Sequence, residues 1–280
     1  MRRSFQRSVW SNRGIRVWRA TQRSLGVILG LLPGAAAHAQ GFAAQVSPPR
    51  FELTARPGKT VRNVIEVSNR STTPGRYLIH TADWTLSPDF TVNFHDELQP
   101  GSCRPWVAIE RPEVLVPGNG VLRYRFEVSV PADAPAGECR FAVMIEGADP
   151  SIAKSNGVDL PVTGRIGVIV YVNVGDAVPD LEFFGPKIVT LNGQRIPTLR
   201  IHNSGEAHGR VSGFLTGTDA SGIKYDFTPS DFPILPHEER EVFLTPSTAT
   251  DEHPALAFPV TVKGMLEWGE HKTELDQVFD

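Results

Sequence analysis

Short runs of alternating hydrophobic and polar residues recur along the chain after residue 40, separated by proline, glycine and asparagine. Successive side chains of a β-strand point to opposite faces, so this alternation indicates strands with one buried face. Helical periodicity is hard to find in the same region. The predicted strands are residues 60–68, 76–84, 121–130, 139–146, 158–174, 198–202, 210–216, 241–244 and 258–267. The pattern is typical of an all-β sandwich protein.

A break at residues 177–179 (Ala-Val-Pro) divides these strands into two groups. We therefore predict an all-β protein with two immunoglobulin-like β-sandwich domains in tandem, residues 40–176 and 177–280. An internal motif supports two related halves. Residues 65–76 match residues 199–210 in the pattern aliphatic-x-aliphatic-x-Asn, followed by Gly-Arg after five further residues. A strand ending in Leu-x-Pro or Leu-Pro follows in each half, which favours a duplicated domain.

The first 40 residues differ in composition from the rest, with seven arginines and no acidic residue. Residues 25–32 (LGVILGLL) form a short apolar run, and residues 37–39 (Ala-His-Ala) give a small-x-small cleavage pattern. The sequence thus predicts a signal peptide over residues 1–39. A membrane anchor is the less favoured alternative, because the apolar run is about half of the roughly 20 residues that a bilayer requires.

Charge and cysteine content narrow the possible functions. The chain after the first 40 residues contains 21 of the 28 basic residues and all 31 acidic residues, which gives this part a net charge of −10. Such an acidic body is a poor partner for a phosphate backbone, which excludes nucleic acid. Cys103 and Cys139 would reach an oxidising compartment, so a disulfide is predicted. A metal site built on two isolated cysteines is the less favoured alternative.

Catalytic motifs are not found in the sequence. It contains no Gly-x-Ser-x-Gly, no phosphate-binding glycine-rich loop and no His-Glu-x-x-His, and its histidines are scattered. Asp83 and Asp96 lie near Trp84 and Phe94, a combination that sugar-binding sites also use, but a structural role is the favoured interpretation. The sequence predicts a protein that is not an enzyme and that needs no cofactor or metal.

The order of several segments resembles that of the PapD-like periplasmic pilus and fimbrial assembly chaperones. The matching segments are residues 47–50 (SPPR), 64–69, 112–118 (PEVLVPG), 121–130 and 139–147. The match covers about residues 45–175 well and the second half only by general pattern. The resemblance implies two immunoglobulin-like domains set at an angle, pilin-like β-subunits as partners, and an outer-membrane usher as a further partner.

Residues 158–174 are the most informative segment for mechanism. Their even positions are apolar, whereas the odd positions up to Arg165 are polar or proline. Pro161 lacks an N–H and therefore favours an edge strand. The resemblance implies donor-strand complementation, in which Val158, Leu160 and Val162 fill the groove of an incomplete β-subunit. The alternative is a last strand of the sandwich whose apolar side is covered by the loop of residues 149–157.

The resemblance also implies two basic residues between the domains that hold the carboxylate at the subunit's C-terminus. Arg50 stands at the matching first-strand position. The second, usually a lysine, corresponds to Gly167 in this sequence. Arg165 is the candidate substitute, since it lies two residues before Gly167, on the same face of the strand and about 6–7 Å from it. The alternative is that both arginines are ordinary solvated charges.

The sequence therefore predicts an exported, periplasmic, chaperone-like protein that caps pilus or fimbrial β-subunits by strand donation. No membrane insertion is expected after signal cleavage. The alternative is a non-catalytic interaction module of the cell envelope, in which two immunoglobulin-like domains bind a protein or a glycan without donating a strand.

Overall fold

The computed structural model describes residues 42–155, 158–191, 193–250 and 254–280, so the predicted signal peptide lies outside the described residues. In these ranges the chain is almost entirely β-structure, with a single 3₁₀ turn at Arg104–Trp106 and no α-helix. No helix in the described ranges is long and apolar enough to cross a membrane. The all-β fold class predicted from the alternating pattern is confirmed.

The first half of the described chain forms two packed β-sheets. Its strands are β1 (Ala44–Ser47), β2 (Arg50–Ala55), β3 (Thr60–Asn69), β4 (Gly75–Leu86), β5 (Val92–His95), β6 (Val107–Ile109), β7 (Glu113–Val116), β8 (Val121–Ser129), β9 (Gly137–Gly147), β10 (Ser151–Ser155), β11 (Val158–Val162) and β12 (Arg165–Val174). One sheet has the order β1-β3-β8-β6, and the other has the order β2-β12-β9-β4-β5 with β7 joined to β4. The hairpin β10–β11 forms a separate two-stranded sheet.

The second half forms one seven-stranded sheet. Its strands are β13 (Leu181–Leu191), β14 (Gln194–Asn203), β15 (Ser212–Thr218), β16 (Lys224–Pro229), β17 (Glu239–Ser247), β18 (Val260–Trp268) and β19 (His271–Phe279). They are ordered β13-β14-β17-β16-β15-β18-β19, and the two end strands contact each other. The sheet therefore wraps around a single core, and both halves are immunoglobulin-like β-sandwiches.

Alternation along the strands builds a separate core in each half. In β3, Ile65 and Val67 point inward with 0% exposure and pack against Val168 of the opposite sheet. In the second half, Ile201 and Leu244 belong to a distinct buried cluster. The predicted domain boundary after residue 176 falls in the connection from β12 to β13, and it stays a prediction.

The buried amide of Asn69 ends β3 and fixes the turn that follows. Its Nδ2 donates to the carbonyls of Thr73 (2.7 Å) and Val116 (3.1 Å), and its Oδ1 accepts from the N–H of Ser71 (3.0 Å). Asn69 is 1% exposed, so these bonds replace water that the amide has lost.

Asn203 repeats this arrangement at the end of β14. Its Nδ2 donates to the carbonyls of Ala207 (2.8 Å) and Ile234 (2.9 Å), and its Oδ1 accepts from the N–H of Gly205 (3.0 Å). In both halves the local hydrogen-bond partners lie two and four residues after the asparagine in the sequence. The third partner in each half is a backbone carbonyl shortly before a proline, that of Val116 before Pro117 and that of Ile234 before Leu235-Pro236. The internal motif read from the sequence thus corresponds to a shared corner in the two halves.

The prediction of one continuous strand over residues 158–174 is wrong, because the chain forms two strands separated by Thr163 and Gly164. Phe42 lies against Gly164 so closely that a Cβ there would overlap its ring, and only glycine permits this approach. After the break, β12 enters the interior, where Val170 and Tyr171 are both buried although they face opposite sides.

Candidate functional site

The hairpin β10–β11 carries an exposed apolar row. Its register pairs Ser151 with Val162 and Ser155 with Val158 in an antiparallel ladder. Val158, Leu160 and Val162 share one face of β11, and they are 57%, 46% and 46% exposed. Within the predicted covering loop, residues 151–155 form a strand paired with β11, but the apolar row remains about half exposed. All three predicted donor residues lie together on this row.

The edge of β12 next to the hairpin is open for half of its length. Strand β2 pairs with β12 only from Ile169 onward, where the Ile169 N–H donates to the Pro49 carbonyl (3.2 Å). Before that point Pro48 and Pro49 have no N–H, and the chain leaves this sheet to form β1 in the other one. In the described ranges no strand pairs with this edge of β12 before Ile169, whereas the opposite edge pairs with β9 along its whole length.

Two residues of β12 present their main chain to that open edge. Backbone N–H and C=O groups alternate sides along a strand, and the N–H of Ile169 points toward β2. Arg165 and Gly167 share this parity, so their N–H and C=O groups point to the same edge. Two N–H donors and two C=O acceptors on this edge are therefore available to pair with an added strand.

Arg50 stands where the open edge ends. It is the first residue of β2 and lies beside Ile169 in the ladder. Its guanidinium is within 3.0 Å of the Glu52 carboxylate and 4.0 Å of the Asp231 carboxylate, and its side chain is 40% exposed. Arg50 is therefore a partly accessible cation at the boundary between the two halves.

Arg165 lies on the same sheet face as Arg50 but further along the edge. It precedes Ile169, the ladder neighbour of Arg50, by four residues, which corresponds to about 13 Å along the strand. Its guanidinium is 3.9 Å from the Glu146 carboxylate and 6.0 Å from the ring centre of Phe94. The structure brings each predicted arginine to the open edge, but it does not bring the two side chains together.

Gly167 cannot be replaced by a larger residue without displacing Phe94. A Cβ at Gly167 would overlap the tip of the Phe94 ring, which reaches across the outer face of the sheet from β5. The ring is partly buried against a cluster that includes Trp84, Met144 and Tyr171. The position where the resemblance expects a lysine is thus covered by an aromatic ring.

Two charged residues of the second half, which the sequence analysis did not assign to the site, lie near Arg50. Arg210 is hydrogen-bonded to Asp231, and its guanidinium lies 3.4 Å from the Tyr171 hydroxyl and 3.8 Å from the Glu52 carboxylate. Asp231 thus contacts both arginines. The internal Gly-Arg motif had marked Arg210 only as a strand opener.

The interface beneath these charges is tightly packed. His208 stacks on Tyr171 with ring centres 3.8 Å apart, and its Nδ1 is 2.5 Å from the carboxylate of Glu138, whose side chain is 0% exposed. Burial raises the pKa of Tyr171 to about 12, with the negative charge of Glu138 adding to the effect. The two halves are therefore joined by specific contacts at the part of β12 that β2 covers.

The cysteines and the tryptophan–aspartate pair have structural roles. Cys103 and Cys139 form a disulfide, as predicted, with their Cα atoms 5.6 Å apart. Trp84 is 6% exposed and donates its indole N–H to the Phe141 carbonyl (3.2 Å). Asp83 is 3% exposed and accepts from the N–H of Gln99 (2.8 Å). Neither side chain of the pair is available as a sugar platform.

Comparison with known proteins gives matches only among solved structures. No family model matches the chain, and no curated protein matches it. The YadV chaperone is 12% identical, with a TM-score of 0.46, over 83% of this chain and 100% of that one. The class 5 fimbriae chaperone CfaA is 15% identical, with a TM-score of 0.46, over 85% and 99%.

A third match is the CsuC–CsuE chaperone–tip adhesion subunit complex from the archaic chaperone-usher Csu pili of Acinetobacter baumannii. It is 13% identical, with a TM-score of 0.44, over 84% of this chain and 97% of that one. These matches are fimbrial chaperones, the class that the sequence resembles.

Proposed function

We propose that this protein is a non-catalytic, periplasmic chaperone that binds pilus- or fimbrial-type β-subunits by donating a strand. The observation that carries the proposal is the exposed row Val158, Leu160 and Val162, which directly precedes in the chain the open edge of β12. An incomplete β-subunit would pair its main chain with this edge and take the apolar row into its core groove.

Physical chemistry favours a partner for this surface. An edge strand that exposes a hydrophobic row is normally an aggregation hazard, and proteins usually cover or charge such edges. Fully burying a valine or leucine contributes about 1.5–3 kcal/mol. Since about half of each side chain is exposed, a client would gain roughly 1 kcal/mol for each one, before the costs of association. A client that buries all three therefore gains a substantial apolar contact.

The arginines extend the proposed site beyond the hairpin. A client strand that follows β11 and then β12 passes Arg165 first and reaches Arg50 where β2 closes the edge. We propose that Arg50 binds the client's C-terminal carboxylate through a charge-assisted contact, because the client strand must end where β2 occupies the edge. Arg165 would contact the client earlier along the edge.

Export and assembly complete the proposal. A signal peptide over residues 1–39 and the Cys103–Cys139 disulfide both fit an oxidising periplasm. Solved matches include a chaperone with its tip adhesion subunit and the SafA pilin of Salmonella enterica with the SafB chaperone. By analogy we propose pilin-like subunits and an outer-membrane usher as partners, with domains at residues 40–176 and 177–280.

Affinity purification tests the proposal. The tagged protein is isolated under mild conditions from the periplasm of cells that produce it naturally, and co-eluting proteins are identified by mass spectrometry. We expect a small secreted β-rich protein in near one-to-one yield. Leu160→Lys should abolish its recovery, because a lysine in the client's groove buries an unpaired charge. The matched control Leu98→Lys alters another leucine, 60% exposed in a loop, and should leave recovery unchanged.

Two results would contradict strand donation. One is equal client recovery with Leu160→Lys and with the wild type, which would remove β11 from the site. The other is recovery of the folded protein alone, which would favour the interaction module that binds a surface protein or glycan. Circular dichroism of both variants shows whether the fold is retained, as expected for substitutions at exposed positions.

A further inference from the structure

The open edge of β12 contains one position without a side chain. Gly167 faces the outer side of the sheet, and the space where its side chain would lie is filled by the ring tip of Phe94. Phe94 comes from β5 and is only partly buried. The guanidinium of Arg165 lies 6.0 Å from the centre of the same ring.

A strand added to this edge would bring one of its side chains to Phe94. Residues directly opposite each other in neighbouring strands have Cβ atoms about 4.5–5.5 Å apart and point to the same face. At Gly167 itself there is no side chain, and the atoms nearest to its Cβ position belong to the Phe94 ring. The client residue at this register therefore meets an apolar surface.

We infer that Phe94 and Gly167 form an apolar subsite that selects an aliphatic or aromatic residue on the client strand. The inference rests on the proposed strand donation and adds a specificity-determining residue to it. The resemblance implies a lysine that binds a carboxylate at the position of Gly167, whereas in this chain the Phe94 ring occupies that place. Recognition at this register is thus by side-chain packing.

Arg165 makes the inference testable by charge. An acidic client residue opposite Gly167 would find this arginine beside the ring, whereas a lysine would be repelled by it. If the ring determines selection, leucine and phenylalanine bind best and both charged residues bind worse. If the arginine determines it, aspartate binds best.

Synthetic peptides provide the probe. The probes are fluorescein-labelled decapeptides of alternating threonine and valine. Each peptide carries one guest residue, which is alanine, leucine, phenylalanine, aspartate or lysine, and the position of the guest is varied along the peptide. Fluorescence anisotropy measures their affinity for the full mature protein. At one register we expect leucine and phenylalanine to bind about three- to tenfold more tightly than alanine, the range of aromatic contacts in double-mutant cycles.

Variants assign the effect to the ring. Phe94→Ala should remove the preference for leucine and phenylalanine at that register, while Phe94→Leu should retain it for leucine. Val92→Ala is the matched control, since Val92 lies in the same strand and is 37% exposed. The comparison of guest residues on the wild type needs no variant and stands even if Phe94→Ala fails to fold.

The outcomes separate the inference from the proposed function. A preference for aspartate overturns the subsite, and so does a preference for apolar guests that persists in Phe94→Ala. In either case strand donation is still supported if Leu160→Lys abolishes peptide binding. If no peptide binds the wild type, or if Leu160→Lys leaves binding unchanged, strand donation fails and the subsite fails with it.

Discussion

Replacing Asn69 or Asn203, the asparagines at the two corners, by alanine tests whether these residues make the same contribution to the free energy of unfolding in the two halves. Asn203 is 0% exposed and makes four hydrogen bonds, since its Oδ1 also accepts from the N–H of Asp180 (3.1 Å). Asn69 likewise makes four, since its Nδ2 also lies 3.3 Å from the Pro117 carbonyl. The two side chains perform the same task in the two halves.

The expected cost follows from these bonds. A buried hydrogen bond contributes about 1 kcal/mol net, and a buried group left without its partner costs more. Asn203→Ala and Asn69→Ala should therefore each lower the free energy of unfolding by about 4 kcal/mol. That loss is a large fraction of the roughly 5–15 kcal/mol that stabilises a typical domain.

Urea denaturation followed by tryptophan fluorescence measures the loss as a shift of the unfolding midpoint. Asn93→Ala is the matched control, because the Asn93 amide bonds the Ser87 hydroxyl (2.8 Å) at an exposed site and should shift the midpoint little. A loss below about 1 kcal/mol in both corner variants would refute the assignment of these amides as the clamps of the corners.

Three further predictions concern the rest of the fold. Cys103→Ala combined with Cys139→Ala should lower the free energy of unfolding by about 4 kcal/mol, from the chain entropy released over a separation of 36 residues; an unchanged urea midpoint would contradict this. Because burial raises the pKa of Tyr171 to about 12, the folded protein holds this proton more tightly than the unfolded chain, whose tyrosines ionise near pH 10. The resulting stability is complete below about pH 10 and is lost as the pH rises to about 12, so Tyr171→Phe should flatten the fall of the urea midpoint over that range. Phe90 stacks on Phe232 (4.1 Å) at a backbone φ of +65°, so Phe90→Gly should be about 1 kcal/mol more stable than Phe90→Ala by thermal unfolding, and the reverse order would argue against backbone strain there.

Features that depend on the local order of residues along the chain could be predicted from the sequence. Alternation located most of the longer strands to within a few residues, because the face a side chain occupies follows from its parity in the strand. The repeated aliphatic-x-aliphatic-x-Asn motif identified Asn69 and Asn203 before their hydrogen bonds were known. The apolar row of Val158, Leu160 and Val162 was readable for the same reason.

Several strands were not predicted from the sequence, among them the long strands β13 and β19 and several short strands whose pattern is too brief to recognise. Strands β5, β6 and β7 have three or four residues each, and β10 lies in a segment that was taken for a loop. The break at Gly164 was missed because the apolar parity continues across it. Only the approach of Phe42, more than one hundred residues away, requires glycine there.

The surroundings of the candidate site could not be predicted from the sequence. That β2 covers half of the β12 edge, that Phe94 lies over Gly167, and that Arg210 and Asp231 stand beside Arg50 all depend on contacts between segments far apart in sequence. Periodicity determines which face a side chain takes, whereas the ladder register and the packing of the two halves determine which side chains meet. The donor row was therefore predictable from the chain, and the chemistry next to it was not.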